Sequence, residues 1–191
     1  MATYHYPLIR YNMFMNHKIK TVLVVDSSIN GVISRAEGSG EGSWNSPEDG
    51  LHYRSTVADI GVCIMGHKSF EVIGGKNYEA VKHYVMTTNQ SLLGNAQNNE
   101  NVVYTNKSYP ELLNELSEAG HQQVAILGGS KVYTDMISQN LIEEMIITME
   151  PVVLRPGVSL FGDTVTESMW KLESSKHLND QGTLVLKYVR R

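Results

Sequence analysis

Cysteine is almost absent from this chain, since Cys63 is the only one among 191 residues. A single cysteine excludes an internal disulfide and favours a protein of the reducing cytoplasm. Long apolar runs are also absent, because stretches such as residues 22–25 are far too short to cross a bilayer. Residues 1–20 lack the continuous apolar segment and the small-residue cleavage site of a signal peptide. We therefore expect a cytoplasmic protein that does not span a membrane.

Positive charge is in short supply as well. The formal net charge is −4, which gives no support to nucleic-acid binding. The seven histidines show no metal-type pairing along the chain, so we predict no metal site. Apolar residues make up 41% of the sequence and charged residues 19%, as in an ordinary soluble domain. A small molecule is the partner that we expect, and the sequence leaves the oligomeric state open.

Strand and helix signals alternate along the chain. Apolar β-branched runs predict strands, and capped segments predict helices. Strands are predicted at residues 21–26, 60–65, 82–88, 102–105, 123–127, 144–149, 170–177 and 183–189, helices at 47–57, 67–73, 108–119 and 130–138, and loops at 27–46 and 151–163. We expect one α/β domain over residues 21–191, with a mostly parallel central sheet, an antiparallel C-terminal hairpin and flanking helices. Residues 1–20 would form an N-terminal extension.

The helix predicted at residues 47–57 begins with a pattern that suits an acid–base group. Ser46 suits an N-cap, and Pro47 suits the first helical turn. Asp49 lies in that turn, where the helix dipole favours negative charge, and shares a helix face with Tyr53. If that face lines an apolar cleft, Asp49 has a raised pKa and can deliver a proton near neutral pH. The alternative interpretation is a capped surface helix with a solvated acidic start.

Two other junctions between a strand and a helix contain glycine. Gly128 and Gly129 let a ligand approach the backbone, and the helix that follows offers N–H groups to a phosphate. Gly66 precedes His67 and Lys68, whose positive charge at a helix start is unfavourable unless an anion binds there. Both junctions suit a nucleotide site. The alternatives are a tight turn that needs glycine and a solvated basic pair.

Taken in order, these segments resemble the dihydrofolate reductase superfamily from about residue 21 to the C-terminus. Trp44 and Asp49 match that family's tryptophan and catalytic acid in type and spacing. Tyr53 matches an aromatic residue that packs on the pterin ring. The resemblance implies catalytic roles for Asp49 and Trp44, and substrate binding by Tyr53, Arg54, Thr148 and Lys82.

The resemblance also implies NADPH as the cofactor. Residues 65–71 resemble a family segment whose basic residue binds the 2′-phosphate, and residues 128–133 resemble its GG-x-x-x-Y segment. Cofactor contacts are implied for Ile33, Gly66, His67, Lys68, Ser69, Thr87, Thr88, Gly128, Gly129, Ser130, Lys131, Val132 and Tyr133. The implied reaction reduces 7,8-dihydrofolate, or a related dihydropterin, to its tetrahydro form. A hydride reaches C6 of the pterin, and Asp49 promotes protonation of N5.

One departure from the family pattern bears on the substrate. The family's arginine for the folate glutamate carboxylate aligns with Val81, and Lys82, the nearest cation, lacks the bidentate fork. Residues 28–33 also resemble a segment of the pyrimidine reductases of riboflavin synthesis, which bind a ribosyl phosphate instead of a glutamate tail. The first alternative is therefore an NADPH-dependent reductase of a phosphoribosylaminopyrimidine. The second is a non-catalytic nucleotide-binding protein of the same fold.

Overall fold

The computed structural model describes residues 19–35, 44–73, 80–93, 100–155 and 157–191. Residues 1–18, most of the predicted N-terminal extension, lie outside these ranges. The strands are β1 Lys20–Ser28, β2 Val32–Arg35, β3 Val62–Gly66, β4 Lys82–Met86, β5 Val102–Thr105, β6 Gln123–Ile126, β7 Glu144–Glu150, β8 Gly157–Ser159, β9 Trp170–His177 and β10 Leu184–Arg190. The helices are α1 Pro47–Ile60, α2 His67–Ile73, α3 Tyr109–Glu118 and α4 Ser130–Ser138.

One large sheet organises the described residues, with its strands in the order β5-β4-β3-β6-β1-β7-β10-β9. β1 pairs in parallel with β6 and β7, and β3, β4 and β5 continue the parallel part. β10 runs antiparallel to both β7 and β9. The predicted α/β domain, with a mostly parallel sheet and an antiparallel C-terminal hairpin, is confirmed. No helix in the described ranges is long and apolar enough to cross a membrane.

Local capping signals set the ends of α1 and α3. Ser46 caps α1 by accepting the backbone N–H of Asp49 at 3.2 Å. Gly61 ends α1 with a φ of 77°, a left-handed conformation that suits glycine. Ser108 and Glu111 form a reciprocal capping box at the start of α3. The cap at Ser46 therefore determines that Asp49 lies in the first turn of a helix.

Two short strands lie where the sequence predicts only loops. β2 lies within residues 27–46, and β8 lies within residues 151–163. They form a separate antiparallel pair in which Val32 is opposite Ser159. Strands of four and three residues are too short to show a clear alternating pattern, and each depends on a partner far away in sequence. α1 also extends to Ile60, predicted to open the next strand, because Ile60 packs on the core from the last helical turn.

Alternation along β1 divides the core into two layers. Leu23 and Val25 pack in the layer beneath α3 and α4, whereas Val22 and Val24 pack in the layer beneath α1. By the same alternation, Asp26 points to the side of the sheet that carries α1. The carboxyl ends of the parallel strands also lie along one edge, and open α/β sheets bind ligands outside that edge. A carboxyl from the sheet is thus placed against the start of α1, where a ligand is expected.

Candidate active site

Asp26 and Asp49 lie together where α1 begins. Asp26 is near the end of β1, and Asp49 is in the first turn of α1. Asn45 bridges them, since its Nδ2 donates to Asp26 Oδ2 at 3.1 Å and to Asp49 Oδ2 at 2.6 Å. Asp49 has no exposed surface. It therefore occupies the buried position that an acid–base role requires.

A third carboxyl, that of Glu150 at the end of β7, ties the start of α1 to the sheet. Its Oε1 accepts both the backbone N–H and the hydroxyl of Ser46, each at 2.7 Å. Its Oε2 accepts the hydroxyl of Thr183 at 2.8 Å. Because both oxygens are paired, Glu150 has a structural role. Its negative charge is nevertheless close enough to raise the pKa of Asp26 and of Asp49.

Burial is the main reason why the pKa of Asp49 is raised above its usual range. Interactions with Asn45, Asp26 and Thr148 favour the charged form and act in the opposite direction. The pKa of Asp26 is raised well above its usual value, first by burial and then by the adjacent Asp49. The folded protein therefore binds a proton here more tightly than the unfolded chain does. Stability from this source is full below pH of about 4 and is lost as the pH rises through the folded-state pKa values.

Several buried polar atoms of this region have no hydrogen-bond partner within the described ranges. They include Asp26 Oδ1 and Asp49 Oδ1. A third such atom is Nε2 of His52, which lies in the same turn of α1 as Asp49. Burial also lowers the pKa of His52. A buried polar atom without a partner costs free energy, so these atoms point to a proton or a ligand that completes the site.

Three of the predicted catalytic and substrate residues lie near Asp49. Thr148 is buried on β7, directly opposite Asp26 in the strand register. Tyr53 packs against the core layer beneath α1. Trp44 is half-buried and lies shortly before the helix begins. The structure therefore groups Thr148, Tyr53 and Trp44 around the start of α1.

Arg54 and Lys82 do not converge on Asp49. Arg54 is exposed, and its guanidinium lies over the first turn of its own helix. The Lys82 ammonium lies 5.8 Å from the centre of the Tyr84 ring, which belongs to the core layer on the other face of the sheet. Val81 is only 1% exposed and packs in the layer beneath α1. Position 81 is thus a core position, and Lys82 faces away from α1.

The predicted nucleotide segment forms the junction between β6 and α4. The Gly66 N–H donates to the Gly128 carbonyl at 2.6 Å, and the peptide bond between Gly128 and Gly129 is cis. A methyl group added to Gly129 would lie 2.7 Å from Ser69 Oγ, so the start of α2 lies very close to this turn. Gly129 is the N-cap of α4, and no side chain caps the helix. Such a helix start presents backbone N–H groups to an anion.

The side chains that follow the two glycines differ in position. Val132 and Tyr133 are buried, and Tyr133 donates its hydroxyl to the Val24 carbonyl at 2.9 Å. Lys131 is exposed and forms an ion pair of 2.8 Å along the helix. Ser130 is the first residue of α4. Val132 and Tyr133 therefore support the turn from the core, whereas Ser130 and Lys131 lie at the surface side of the helix start.

The basic pair lies at the start of α2, beside the ends of β3 and β4. Lys68 is exposed, and His67 Nε2 lies 3.6 Å from a carboxylate oxygen of Glu71. Thr87 and Thr88 directly follow β4. Ile33, by contrast, is on β2 and packs against the core layer of α3 and α4. The predicted phosphate residues thus lie at the same edge of the sheet.

Sequence reasoning missed Asp26, Asn45 and Glu150. The available signal was a lone acidic residue at the carboxyl end of a buried parallel strand, which describes both Asp26 and Glu150. Asn45 gave no comparable signal, because its two partners are known only from the fold. Across the described ranges, no group of acidic, histidine or cysteine side chains is arranged to hold a metal ion.

The chain is similar to known proteins in both sequence and fold. The family described as dihydrofolate reductase matches residues 20–190. The uncharacterized protein YwjB of Bacillus subtilis (strain 168) is 26% identical over 178 residues, which cover 90% of this chain and 98% of YwjB.

Two solved structures share the fold. Dihydrofolate reductase from Enterococcus faecalis, complexed with NADP(H), is 18% identical with a TM-score of 0.70, covering 91% of this chain and 98% of that one. A diaminohydroxyphosphoribosylaminopyrimidine deaminase/5-amino-6-(5-phosphoribosylamino)uracil reductase from Thermotoga maritima is 13% identical with a TM-score of 0.72. The structural match covers 91% of this chain and 57% of the Thermotoga chain.

Proposed function

Because the chain belongs to the dihydrofolate reductase family, we propose that it uses NADPH to reduce a dihydropterin to the tetrahydro form. The observation that carries this proposal is the environment of Asp49. Its carboxyl is buried, has a raised pKa, and lies beside Thr148 at the ligand-binding edge of the sheet. A carboxyl whose pKa is raised in this way keeps its proton to a higher pH than an exposed carboxyl does, and can deliver it to a substrate.

The residues at the starts of α4 and α2 fit the phosphate groups of NADPH. α4 begins at Gly129 without a side-chain cap, so its first N–H groups suit a pyrophosphate. Lys68 brings positive charge to the start of α2, with His67 beside it and with Thr87 and Thr88 at the end of the neighbouring strand. We assign the 2′-phosphate of NADPH to this group. The nicotinamide of NADPH, when bound, supplies the hydride.

The chain itself contributes orientation and a proton. Asp49 Oδ1, which has no hydrogen-bond partner among the described residues, accepts N–H groups from the amidine edge of the pterin. Asn45 and Thr148 hold the Asp49 carboxyl in place. From there Asp49 promotes protonation of pterin N5, directly or through a water molecule. Trp44 and Tyr53 flank the start of α1 and exclude bulk water from this end.

The burial of Val81 favours a substrate without a recognised glutamate tail. A valine in the core cannot pair with a carboxylate, and the Lys82 ammonium lies over Tyr84 on the other face of the sheet. The same observation supports a second candidate, the reductase of a phosphoribosylaminopyrimidine. An assay of NADPH oxidation with dihydrofolate, an unconjugated dihydropterin and that pyrimidine, side by side, separates the candidates. Turnover of the pyrimidine alone would contradict the proposed dihydropterin reductase. Turnover of none of the three substrates would favour a non-catalytic protein.

Replacing both His67 and Lys68 by alanine should weaken NADPH binding and leave NADH binding nearly unchanged. Only NADPH carries the 2′-phosphate, and a hydrogen bond to a charged group contributes about 1.5–3 kcal/mol. The dissociation constant for NADPH should therefore rise by at least roughly tenfold. Fluorescence titration measures both cofactors. Lys171→Ala, which removes an exposed charge from β9 at the far edge of the sheet, is the control. An equal loss for both cofactors would refute the assignment.

The substrate tail should contribute little to binding. We expect the KM for an unconjugated dihydropterin to lie within a few-fold of the KM for dihydrofolate. Lys82→Ala should leave both values unchanged, because the Lys82 ammonium contacts Tyr84 and not the α1 side of the sheet. Steady-state kinetics on both substrates provides the measurement. A large increase in the dihydrofolate KM of Lys82→Ala alone would show that Lys82 binds the tail.

A further inference from the structure

Asp26 is half-buried as a residue, and the proposed reaction assigns no task to its carboxyl. It points from β1 to the start of α1, and Asn45 Nδ2 lies within 3.1 Å of one oxygen of each aspartate. One amide group therefore fixes both carboxyls side by side. Their other oxygens, Asp26 Oδ1 and Asp49 Oδ1, are buried and have no donor while both groups are ionised. A single proton between the two side chains would supply the hydrogen bond that these oxygens lack.

We propose that Asp26 and Asp49 share one proton, that Asp26 passes this proton to Asp49 for transfer to the substrate, and that the pair then regains a proton from solvent. This inference rests on the proposed reductase function. Asp26 acts through Asp49 and is therefore a positioning residue for the transferred proton. Two carboxyls in contact cannot both ionise easily, so the pair titrates as a unit in two separate steps.

The surroundings favour one retained proton. Glu150 on β7 adds a negative charge, and it is already saturated by Ser46 and Thr183. On α4, Tyr133 has a pKa raised by burial and by the charge of Asp26, so its hydroxyl stays protonated.

Among the residues that the structure describes, no positive charge offsets these effects. Burial lowers the pKa of His52 on α1, which disfavours its charged form. The main influences on the pKa of Asp26 and of Asp49 include no lysine or arginine within the described residues. Burial and like charges thus act in the same direction.

The proton balance is simple. The pair begins with one proton and one negative charge. Asp49 gives the proton to the substrate nitrogen, where a new N–H bond forms, and its own O–H bond breaks. When the proton starts on Asp26, it passes to Asp49 across their contact. The pair then carries two negative charges and recovers one proton from solvent, while the hydride comes from the nicotinamide cofactor named above.

Asp26→Asn is the informative variant. The asparagine keeps an oxygen to accept from Asn45 and offers an N–H group to Asp49, so it replaces the contacts and removes only the titrating proton. Asp59→Asn is the matched control, because it makes the same change of side chain at an aspartate that is exposed on α1.

Infrared spectroscopy on the protein without substrate tests the shared proton directly. Wild-type protein at neutral pH should show the carbonyl band of one protonated carboxyl, which should shift when aspartate is labelled with ¹³C at its side-chain carboxyl. The band should vanish in Asp26→Asn and persist in Asp59→Asn. If Asp26→Asn does not fold, the labelled wild-type protein still provides the test. A wild-type spectrum without the band, or a band that survives in Asp26→Asn, would overturn the proposal.

The pH profile of turnover then tests the relay. In Asp26→Asn the alkaline limb of kcat should move down by about one pH unit or more, with kcat at neutral pH lowered at least roughly tenfold. The KM for NADPH should not change. An unchanged pH profile would overturn the relay while leaving the reductase function intact. A complete lack of turnover in wild type, with the infrared band present, would instead refute the proposed function, and with it the relay, but leave the shared proton standing.

Discussion

Asp49→Asn is expected to fold as the wild type does and to lose turnover by about a hundred- to ten-thousand-fold, the usual contribution of general acid catalysis. The asparagine keeps the shape of the side chain and can still accept from Asn45. It cannot carry the proton. The loss should shrink as the pH falls, because solvent can then protonate the substrate. Steady-state NADPH oxidation across a pH series provides the measurement.

Glu48→Gln is the control for Asp49→Asn. Glu48 is the neighbouring residue in the same helical turn, but it is exposed. The control should retain nearly all activity. The Asp49→Asn variant should also be more stable than wild type at neutral pH, since it removes a carboxyl whose pKa burial raises, and this gain should vanish below pH of about 4. Near-wild-type turnover in Asp49→Asn would show that Asp49 has only a structural role in the first turn of α1.

Gly128→Ala is expected to be the most destabilising single-methyl change at the nucleotide junction. Gly128 has a φ of 85°, where a side chain costs about 1–2 kcal/mol. The added methyl group would also lie 2.6 Å from ring carbons of Tyr133. That ring is buried and held by its hydrogen bond to Val24, so it cannot move aside without breaking this bond. Overpacking of this kind adds about 1–3 kcal/mol.

Gly120→Ala separates the two costs. Gly120 has a similar φ of 91°, but a methyl group there would meet nothing within 4 Å. Urea unfolding of both variants should therefore show a smaller loss of unfolding free energy for Gly120→Ala than for Gly128→Ala. Equal losses would mean that the Tyr133 ring does not restrict the junction.

Much of the fold follows from local patterns. The apolar run at residues 22–25 predicts a buried strand, and the Ser46 cap predicts where α1 begins; the structure has both. β2 and β8 could not be predicted, because each short strand depends on a partner that is distant in sequence. Local signals are therefore sufficient for the central sheet and insufficient for the small pair beside it.

The candidate site was predictable only in part. Asp49 has its own signal, a carboxyl in a capped first turn, whereas Asp26 gains its significance from Asn45 and Asp49, which the fold brings to it. The direction of a side chain is also a tertiary property. Tyr133 fits a cofactor motif, yet its hydroxyl binds the Val24 carbonyl in the core.

The proposed function is tested most directly by single-turnover oxidation of bound NADPH by an unconjugated dihydropterin, with the tetrahydropterin product identified. The proposed function predicts one product per NADPH oxidised in wild type and a rate lowered by about a hundred-fold or more in Asp49→Asn. The same rate in both proteins would contradict the role of Asp49. If the pterin fails to oxidise NADPH and a phosphoribosylaminopyrimidine is reduced instead, the proposed pterin reductase activity is wrong.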